Sequence, residues 1–314
     1  MSVVGALLSP LRAYREAWLE LASRDPTLAA MDAGLAGLPA WPDPATGPTA
    51  SRRTALAAEP GAVVEAARRR GRDGGAVFLA APVPLLVEAA YGPEAQALFR
   101  APLRVELVGV PLPGTGEDGA LPRDDLTAMR GLASIAVVVP ADAPTVARAT
   151  AVLGTHAGPG YLKLPPEGTP TVTDGAFALG RAPTLRDGND LTLVALGTTV
   201  APALAVADDL ARVGVAARVL DAASVKPFDE AAVLRAAHDT GALLVVEAGP
   251  VSTGIGTLVA AMTAENYPVP VRRLGAPETV AAGGSAPTPE AASWLAGRLR
   301  DEAFELLRLR GKAT

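Results

Sequence analysis

The chain has 314 residues, of which 28 are basic and 33 acidic, and its net charge is -5 at pH 7. This length suffices for about two domains, each with its own core. The absence of cysteine excludes disulfides, thiolate nucleophiles and cysteine-bound metals, and two histidines are too few for a multi-histidine metal centre. The slightly acidic balance gives no indication of nucleic-acid binding.

The hydrophobic content is 49% and the mean hydropathy is +0.27. No run reaches the ~18 uninterrupted apolar residues that a membrane span requires. The first residues include no basic leader followed by an apolar core and a cleavage site, which would indicate export. We therefore expect a soluble, cytoplasmic protein without a membrane partner.

The first half of the chain alternates between helical and strand patterns. Strands alternating with helices imply a parallel α/β sheet. The patterns predict helices over Leu11–Ser23, after Glu59 and over Ala143–Leu153, and strands at Thr27–Met31, Ala76–Ala80, Arg104–Val110, Ile135–Val139 and Gly160–Leu164.

The second half repeats this alternation more regularly. The predicted strands are Leu191–Leu196, Ala216–Leu220, Ala242–Val246 and one near Val271, and the predicted helices are Ala203–Val213, Glu230–His238, one opening at Gly254–Gly256 and one starting at Pro289. In the last helix Leu295, Leu299, Ala303 and Leu306 share a face, Thr288 can cap the start and Gly311 the end.

These patterns predict an α/β protein with two domains, each a mostly parallel sheet flanked by helices. The proline- and glycine-rich segment 167–188 is predicted to connect the two domains. We place the first domain at residues 1–172, the linker at 173–189 and the second domain at 190–314.

Several segments, taken in order, carry a family resemblance. One of them is Gly116–Gly119, which reads Gly-Glu-Asp-Gly. The others are Glu106–Gly109, Met129–Arg130, Val137–Asp142, Tyr161–Pro165, Asp190–Gly197, Ala217–Asp221, Ser224–Asp229 and Arg273–Gly275. Their order and spacing resemble the pyrimidine-binding and C-terminal domains of transketolase-like, thiamine-diphosphate-dependent enzymes. The resemblance covers roughly Leu11 to Leu299 and implies the two-domain fold predicted above.

The resemblance also implies a partner. Single-chain members of the family begin with a domain that holds the diphosphate and its Mg²⁺ through a Gly-Asp-Gly…Asn-Asn type motif, which this sequence does not contain. It therefore implies a separate N-terminal, diphosphate-binding subunit, an α₂β₂ heterotetramer, thiamine diphosphate with Mg²⁺ held by the partner, and a chain that is inactive alone and supplies no metal ligand.

The family's pyrimidine domain supplies a glutamate that hydrogen-bonds a ring nitrogen of the cofactor's aminopyrimidine. Here the segment Leu56–Glu59 resembles the one that carries it, so the resemblance assigns this catalytic and cofactor-binding role to Glu59. Burial would raise the proton affinity of such a carboxylate and allow it to share a proton. The alternative is that Glu59 is an acidic residue at a helix start, stabilised by the helix dipole.

The family's pyrimidine slot would fall at residues 78–86. Phe78 matches it, whereas the expected downstream aromatics are Pro82 and Leu85, so the cofactor-binding prediction is an apolar slot without aromatic stacking. Transketolases also place histidines near the substrate, and here Pro111 and Pro122 stand at those positions. Neither proline can move a proton, so ordinary transketolase chemistry on a sugar phosphate is not expected.

Two further features have structural and functional interpretations. His156 and His238 follow or end predicted helices, where a cation stabilises the C-terminus, and we favour that structural role for both. The turn Gly254–Gly256 could cradle an anion at a helix N-terminus, although tight packing explains its glycines as well.

Three functions are compatible with the sequence. The first is the C-terminal subunit of a split transketolase-like transferase that moves a two-carbon ketol or acyl unit, with a modified acceptor in specialised metabolism. The second is a β-type subunit of a 2-oxoacid dehydrogenase E1 component that passes an acyl unit to a carrier protein. The third is a non-catalytic pseudoenzyme that stabilises or regulates its partner. We favour the first.

Overall fold

A computed structural model describes residues 8–35, 52–72, 76–91, 104–110, 125–276 and 289–309. The chain forms two compact units, and the boundary between them lies between Leu179 and Gly180. The predicted helix caps Thr288 and Gly311 lie outside the described residues, as does the side chain of Leu295. None of the described helices is long and apolar enough to cross a bilayer.

The N-terminal unit contains a parallel sheet with helices around it. Its elements are α1 (Pro10–Arg24), β1 (Ala29–Ala33), β2 (Arg53–Leu56), α2 (Pro60–Arg72), β3 (Val77–Pro82), α3 (Val83–Tyr91), β4 (Val105–Val110), α4 (Asp125–Gly131), β5 (Ala136–Val138), α5 (Ala143–Leu153) and β6 (Gly160–Lys163). Six strands of this unit lie in the order β5-β6-β4-β3-β1-β2. Every neighbouring pair is parallel. Their carboxyl ends therefore meet at one edge.

Helices α1 and α5 pack together in this unit. Helix α1 buries Leu11, Tyr14, Trp18 and Ala22, which recur at helical spacing. Each helix has a side-chain cap at its start, because Ser9 accepts from the backbone N–H of Arg12 and Asp142 from that of Thr145. Capping fixes where both helices begin.

The C-terminal unit contains the second sheet. Its elements are β7 (Thr184–Arg186), β8 (Leu191–Ala195), a 3₁₀ turn (Gly197–Thr199), α6 (Val200–Arg212), β9 (Ala217–Asp221), β10 (Ser224–Lys226), α7 (Glu230–Thr240), β11 (Leu243–Pro250), α8 (Ile255–Asn266), β12 (Val271–Ala276) and α9 (Pro289–Leu309). The order is β12-β11-β8-β9-β7. Only β7 runs antiparallel among these strands.

The buried faces of the C-terminal helices follow the sequence pattern. Helix α6 buries Val206 and Leu210, which lie four residues apart, whereas Val213, which the same spacing places on this face, follows the helix and is exposed. Helix α9 buries Leu299, Ala303 and Leu306 on the face predicted for it. The predicted α/β class, with two mostly parallel sheets flanked by helices, is confirmed.

Several elements differ from the sequence patterns, and among them α4 and β10 were not predicted. Strand β2 and helix α3 were not predicted, because β2 is half exposed and α3 begins beside Pro82 and Pro84, which look like helix breakers but fit the first turn of a helix. Strand β7 lies inside the segment predicted as a linker, where it pairs with β9. A three-residue strand is too short to show a period.

Candidate functional site at the carboxyl edge of the N-terminal sheet

The ends of three parallel strands lie side by side at the carboxyl edge of the first sheet. Ala33 at the end of β1 is in register with Leu56 at the end of β2. Gly34 follows with a positive φ of 68°, and a Cβ at this residue would lie 3.2 Å from the Cβ of Ala58 and 3.6 Å from the ring of Pro82. The segment before Glu59 and the end of β3 are thus brought together around Gly34.

Glu59 is the last residue before α2. Its carbonyl oxygen accepts the backbone N–H of Val63 at 3.1 Å, so it stands at the N-terminus of the helix. The residue is exposed in this chain. A carboxylate here is favoured by the helix dipole, and it is also open to a molecule that approaches the carboxyl edge. Both interpretations of Glu59 fit this position.

Pro82 and Leu85 lie at the same edge. Pro82 is the last residue of β3, Leu85 lies in the first turn of α3, and both are half-buried. Pro82 presents apolar surface beside Ala58 in the segment that leads to Glu59, since both lie within 4 Å of a Cβ placed on Gly34. The predicted slot is therefore apolar where the structure describes it.

Phe78 is separated from the other predicted slot residues. It lies near the amino end of β3, is fully buried, and pairs in register with Ala30 and Glu106. Its ring centroid is 6.2 Å from that of Tyr14 in α1. The ring therefore belongs to the core under α1, and the structure does not bring it to the edge that carries Glu59.

The remaining predicted residues of this site lie outside the described part of the chain. Pro111 and Pro122, the two substrate-side positions, fall within residues 111–124, as does the segment Gly116–Gly119. Strand β4 ends at Val110, and α4 begins at Asp125.

A buried polar cluster that the sequence patterns did not reveal lies beside these strand ends. The Tyr161 hydroxyl donates to Oδ2 of Asp125 at 2.5 Å, and Nζ of Lys163 donates to Oδ1 at 2.7 Å. Burial, and then the Asp125 carboxylate, raise the pKa of Tyr161 well above its ordinary value. A Cβ on Gly109 would lie 2.5 Å from the Tyr161 hydroxyl, so the tyrosine packs against this glycine.

The alternation of side chains along β6 was the available indication of this cluster. Tyr161 and Lys163 are two residues apart on one strand and so share a face. Lys163 is in register with Gly109, one residue before the end of β4. Its side chain is 32% exposed, whereas that of Asp125 is 5% exposed. Lys163 is therefore the member of the cluster that solvent reaches.

Glu106 is buried in the same sheet but belongs to a different face. Leu107 is in register with Tyr161 and shares its face of the sheet. Glu106 is next to Leu107 in the strand, so its side chain points to the opposite face from that of Tyr161. Burial raises the pKa of Glu106 well above its ordinary value, and the nearby charge of Arg104 opposes this. Glu106 lies near the amino end of β4, so it does not take the place of Glu59.

The glycine-rich turn at the start of α8 already holds an anion from this chain. The Glu247 carboxylate accepts the backbone N–H of Ile255 at 2.8 Å and that of Gly256 at 3.2 Å. A Cβ on Gly254 would overlap this carboxylate. The packing interpretation of these glycines is therefore the one that the structure supports.

Both histidines lie at helix ends, as predicted. The backbone N–H of His156 donates to the carbonyl of Leu153, the last residue of α5. His238 lies in the last turn of α7, is exposed, and contacts Asp239 and the ring of Tyr267. The described residues contain no group of three or more potential metal ligands.

Thiamine diphosphate, the cofactor implied by the resemblance, fits what this edge offers. The exposed carboxylate of Glu59 supplies a hydrogen-bonding group, and Pro82 and Leu85 supply apolar surface nearby. A flat, uncharged ring with polar nitrogens needs this combination of groups.

Comparison with known proteins shows that the chain is similar to transketolases. Residues 180–296 match the model of the transketolase C-terminal domain. The 6-deoxy-6-sulfo-D-fructose transketolase subunit SqwH from Clostridium sp. is 41% identical over 155 residues, 48% of this chain and 48% of that protein. A subunit of apulose-4-phosphate transketolase from Phocaeicola vulgatus is 37% identical over 157 residues, 49% of this chain and 50% of that protein. The chain spans about half the length of the curated relatives it matches.

Solved structures extend the similarity to the whole chain. A split-gene transketolase, solved as an inactive beta4 tetramer, has a TM-score of 0.82 and 28% identity, covering 97% of this chain and 99% of that chain. A transketolase mutant from Pichia stipitis has a TM-score of 0.73 and 16% identity, covering 100% of this chain and 48% of that chain, and so shows the fold alone. The chain is therefore a transketolase-like protein of the split-subunit type, and its residues 180–296 form a transketolase C-terminal domain.

Proposed function

We propose that this chain is the C-terminal subunit of a heteromeric transferase that moves a two-carbon ketol or acyl unit. It completes the site for thiamine diphosphate when an N-terminal, diphosphate-binding subunit docks. The observation that carries the proposal is the position of Glu59, an exposed carboxylate at the carboxyl edge of the first sheet with apolar Pro82 and Leu85 nearby. The two relatives support it, because their names assign them to transketolases as subunits.

When bound, thiamine diphosphate supplies a carbon nucleophile that cleaves the bond beside a carbonyl group. Glu59 holds a proton on its carboxylate and shares it with a nitrogen of the aminopyrimidine. Docking of the partner would enclose this carboxylate beside the ring, which suits the exchange. Pro82 and Leu85 exclude water beside the ring, while Phe78 supports β3 from the core.

The partner supplies the remaining requirements in this proposal. It holds the diphosphate and Mg²⁺, the assembly is an α₂β₂ heterotetramer, and this chain alone is inactive. Pro111 and Pro122 replace the histidines of ordinary transketolases, so the acceptor differs from a simple sugar phosphate or the partner moves the protons. Such a role is consistent with specialised metabolism in the cytoplasm.

The test is reconstitution with a partner from the same genome that carries the Gly-Asp-Gly…Asn-Asn motif. Thiamine diphosphate binding is measured by calorimetry, and turnover is measured with a panel of ketoses and 2-oxo acids. We expect Glu59→Gln to reduce turnover by about 10² to 10⁴-fold, the usual range for loss of a proton-transferring group. Glu65→Gln is the matched control, since this glutamate lies on α2, the helix that Glu59 precedes, and pairs with Arg68.

The outcomes separate the competing functions. Turnover that Glu59→Gln leaves unchanged would remove the catalytic role of this residue. A complex that assembles without turnover on any substrate would favour a stabilising pseudoenzyme, which the prolines at 111 and 122 suggest. Turnover that requires a carrier protein to accept the acyl unit would favour the E1 β-type function.

A further inference from the structure

A cleft in the C-terminal unit has an excess of positive charge. Its volume is about 280 Å³, and it lies between the segment leading into β7, strand β9 and helix α7. Three arginines line it, together with apolar surface from Pro183 and Leu220. Nothing in the proposed function uses this cleft.

The two carboxylates that line the cleft are already engaged by other groups. Asp229 caps α7, since its Oδ1 accepts from the backbone N–H of Ala232 at 3.0 Å and its Oδ2 from that of Ala182 at 3.1 Å. Asp239 accepts from Nη1 of Arg218 at 2.9 Å. The hydrogen bond from Arg218 lowers the pKa of Asp239, followed by the bond from His238.

Arg218 is also fully engaged. Besides Asp239, its Nε contacts Oδ1 of Asp187 at 3.1 Å, and its side chain is 16% exposed. An arginine that bridges two carboxylates is part of the wall of the cleft. It does not supply the excess charge.

Arg181 and Arg235 supply the excess charge. Both are exposed and line the cleft, and neither forms an ion pair or a hydrogen bond with another residue that the structure describes. Arg181 precedes β7, and Arg235 lies on α7, so the two guanidinium groups come from different elements of the cleft wall.

The chemistry of the lining indicates which anion. A guanidinium group binds phosphoryl oxygens in a bidentate geometry and remains charged at every physiological pH. Pro183 and Leu220 offer a small apolar wall, and a cleft of about 280 Å³ lies below the usual range of ~300–1,000 Å³ for drug-sized ligands. We propose that the cleft binds the phosphoryl group of a small phosphorylated molecule through Arg181 and Arg235.

The experiment measures binding to the whole chain by calorimetry with inorganic phosphate, with glycerol 3-phosphate and with glycerol. We expect a Kd of about 1 mM or tighter for both phosphoryl compounds, and no heat with glycerol. A lower Kd for glycerol 3-phosphate than for phosphate would show that the cleft prefers an organic phosphate. Equal Kd values would show that it recognises the phosphoryl group alone. Binding weakens as ionic strength rises.

Variants locate the site. Arg181→Gln and Arg235→Gln are each expected to weaken binding about tenfold, which corresponds to the loss of one charge-assisted hydrogen-bonding group. The control is Arg212→Gln, an exposed arginine of the same unit that pairs with Asp209. Unfolding by urea verifies that each variant is folded, which is expected because both residues are exposed.

Two results would overturn the proposal. One is the absence of phosphate binding to the folded chain, and the other is binding that both arginine variants retain at full strength. Because the measurement requires no partner subunit and no turnover, its failure is distinct from failure of the proposed transferase function.

Discussion

Glu106 in the N-terminal unit and Glu247 in the C-terminal unit are both buried, at 2% and 1% exposure. Each faces a glycine whose Cβ would overlap its carboxylate, Gly160 for Glu106 and Gly254 for Glu247. The carboxylate of Glu247 accepts two backbone N–H groups at the start of α8. Neither carboxylate oxygen of Glu106 has a hydrogen-bond partner among the residues that the structure describes.

This difference teaches how a buried carboxylate can be accommodated. The N-terminus of α8 offers Glu247 backbone N–H donors that would otherwise lack a partner. The buried carboxylate and the buried N–H groups therefore satisfy each other's hydrogen bonds. The carboxylate of Glu106 has room beside Gly160 but no hydrogen-bond donor among the described residues. Burial therefore raises the pKa of Glu106 and disfavours its charged form. The glycine has a different role in each case: it opens access to donors for Glu247, whereas for Glu106 it only prevents a clash.

The largest expected effect comes from Gly254→Ala. The new methyl group would displace the Glu247 carboxylate from the amides of Ile255 and Gly256, and we expect a loss of about 3 kcal/mol in the free energy of unfolding, measured in urea. Adding Glu247→Ala should not restore stability, because the amides still lack their acceptor. Recovery in this double variant would show that the amides do not need Glu247.

Gly160→Ala tests the other pair. Its Cβ would overlap the Glu106 carboxylate and lie 3.0 Å from Cδ2 of Leu153, so we expect a loss of about 2 kcal/mol. Here Glu106→Ala should restore most of the stability, because no donor depends on that carboxylate. If the double variant were as unstable as Gly160→Ala, the carboxylate of Glu106 would have a partner after all.

Glu247→Gln should have an intermediate effect. The amide keeps one acceptor oxygen but places an NH₂ group against the second backbone donor and removes the charge that favours the helix N-terminus, so we expect a loss of about 1–2 kcal/mol. The same measurement in urea applies. A variant as stable as the parent would mean that the charge of Glu247 contributes nothing to the cap.

Glu106→Gln should have the smallest effect at low pH and a growing one as pH rises. Because the pKa of Glu106 in the folded protein is raised above 4.5, the value for a free side chain, folding retains a proton that the unfolded chain releases. The contribution to stability is complete below that value and is lost as pH rises towards the folded pKa. The variant does not titrate, so its stability relative to the parent should increase as the pH rises above 4.5 towards the raised pKa of Glu106. A constant difference would contradict the raised pKa.

Much of the fold follows from local sequence. Helix α5 has the predicted bounds, Ala143–Leu153, and most strands lie within two residues of their predicted positions. Strand β1 is shifted towards Ala33 because Asp25 and Thr27 form a local turn before it. Short or half-exposed elements such as β2 and β7 carry too few apolar residues for a pattern.

The candidate site was predicted only in part. Glu59, Pro82 and Leu85 lie at the expected edge, since strand ends of a parallel sheet meet there, while Phe78 belongs to the core because it lies at the other end of β3. Asp125, Tyr161 and Lys163 were not linked, because their contact depends on β6 lying beside β4. Strand order is not contained in any local pattern.

The sequence by itself determined the α/β class, the order of most elements and the resemblance to transketolases, because side-chain period and motif spacing are local properties of the chain. Only the tertiary structure decided which residues come together: Glu247 with the amides of α8, Glu106 with Gly160, and Arg181 and Arg235 in the lining of one cleft. Such pairs depend on strand order, register and helix placement, and a carboxylate is satisfied or left without partners according to what these bring next to it.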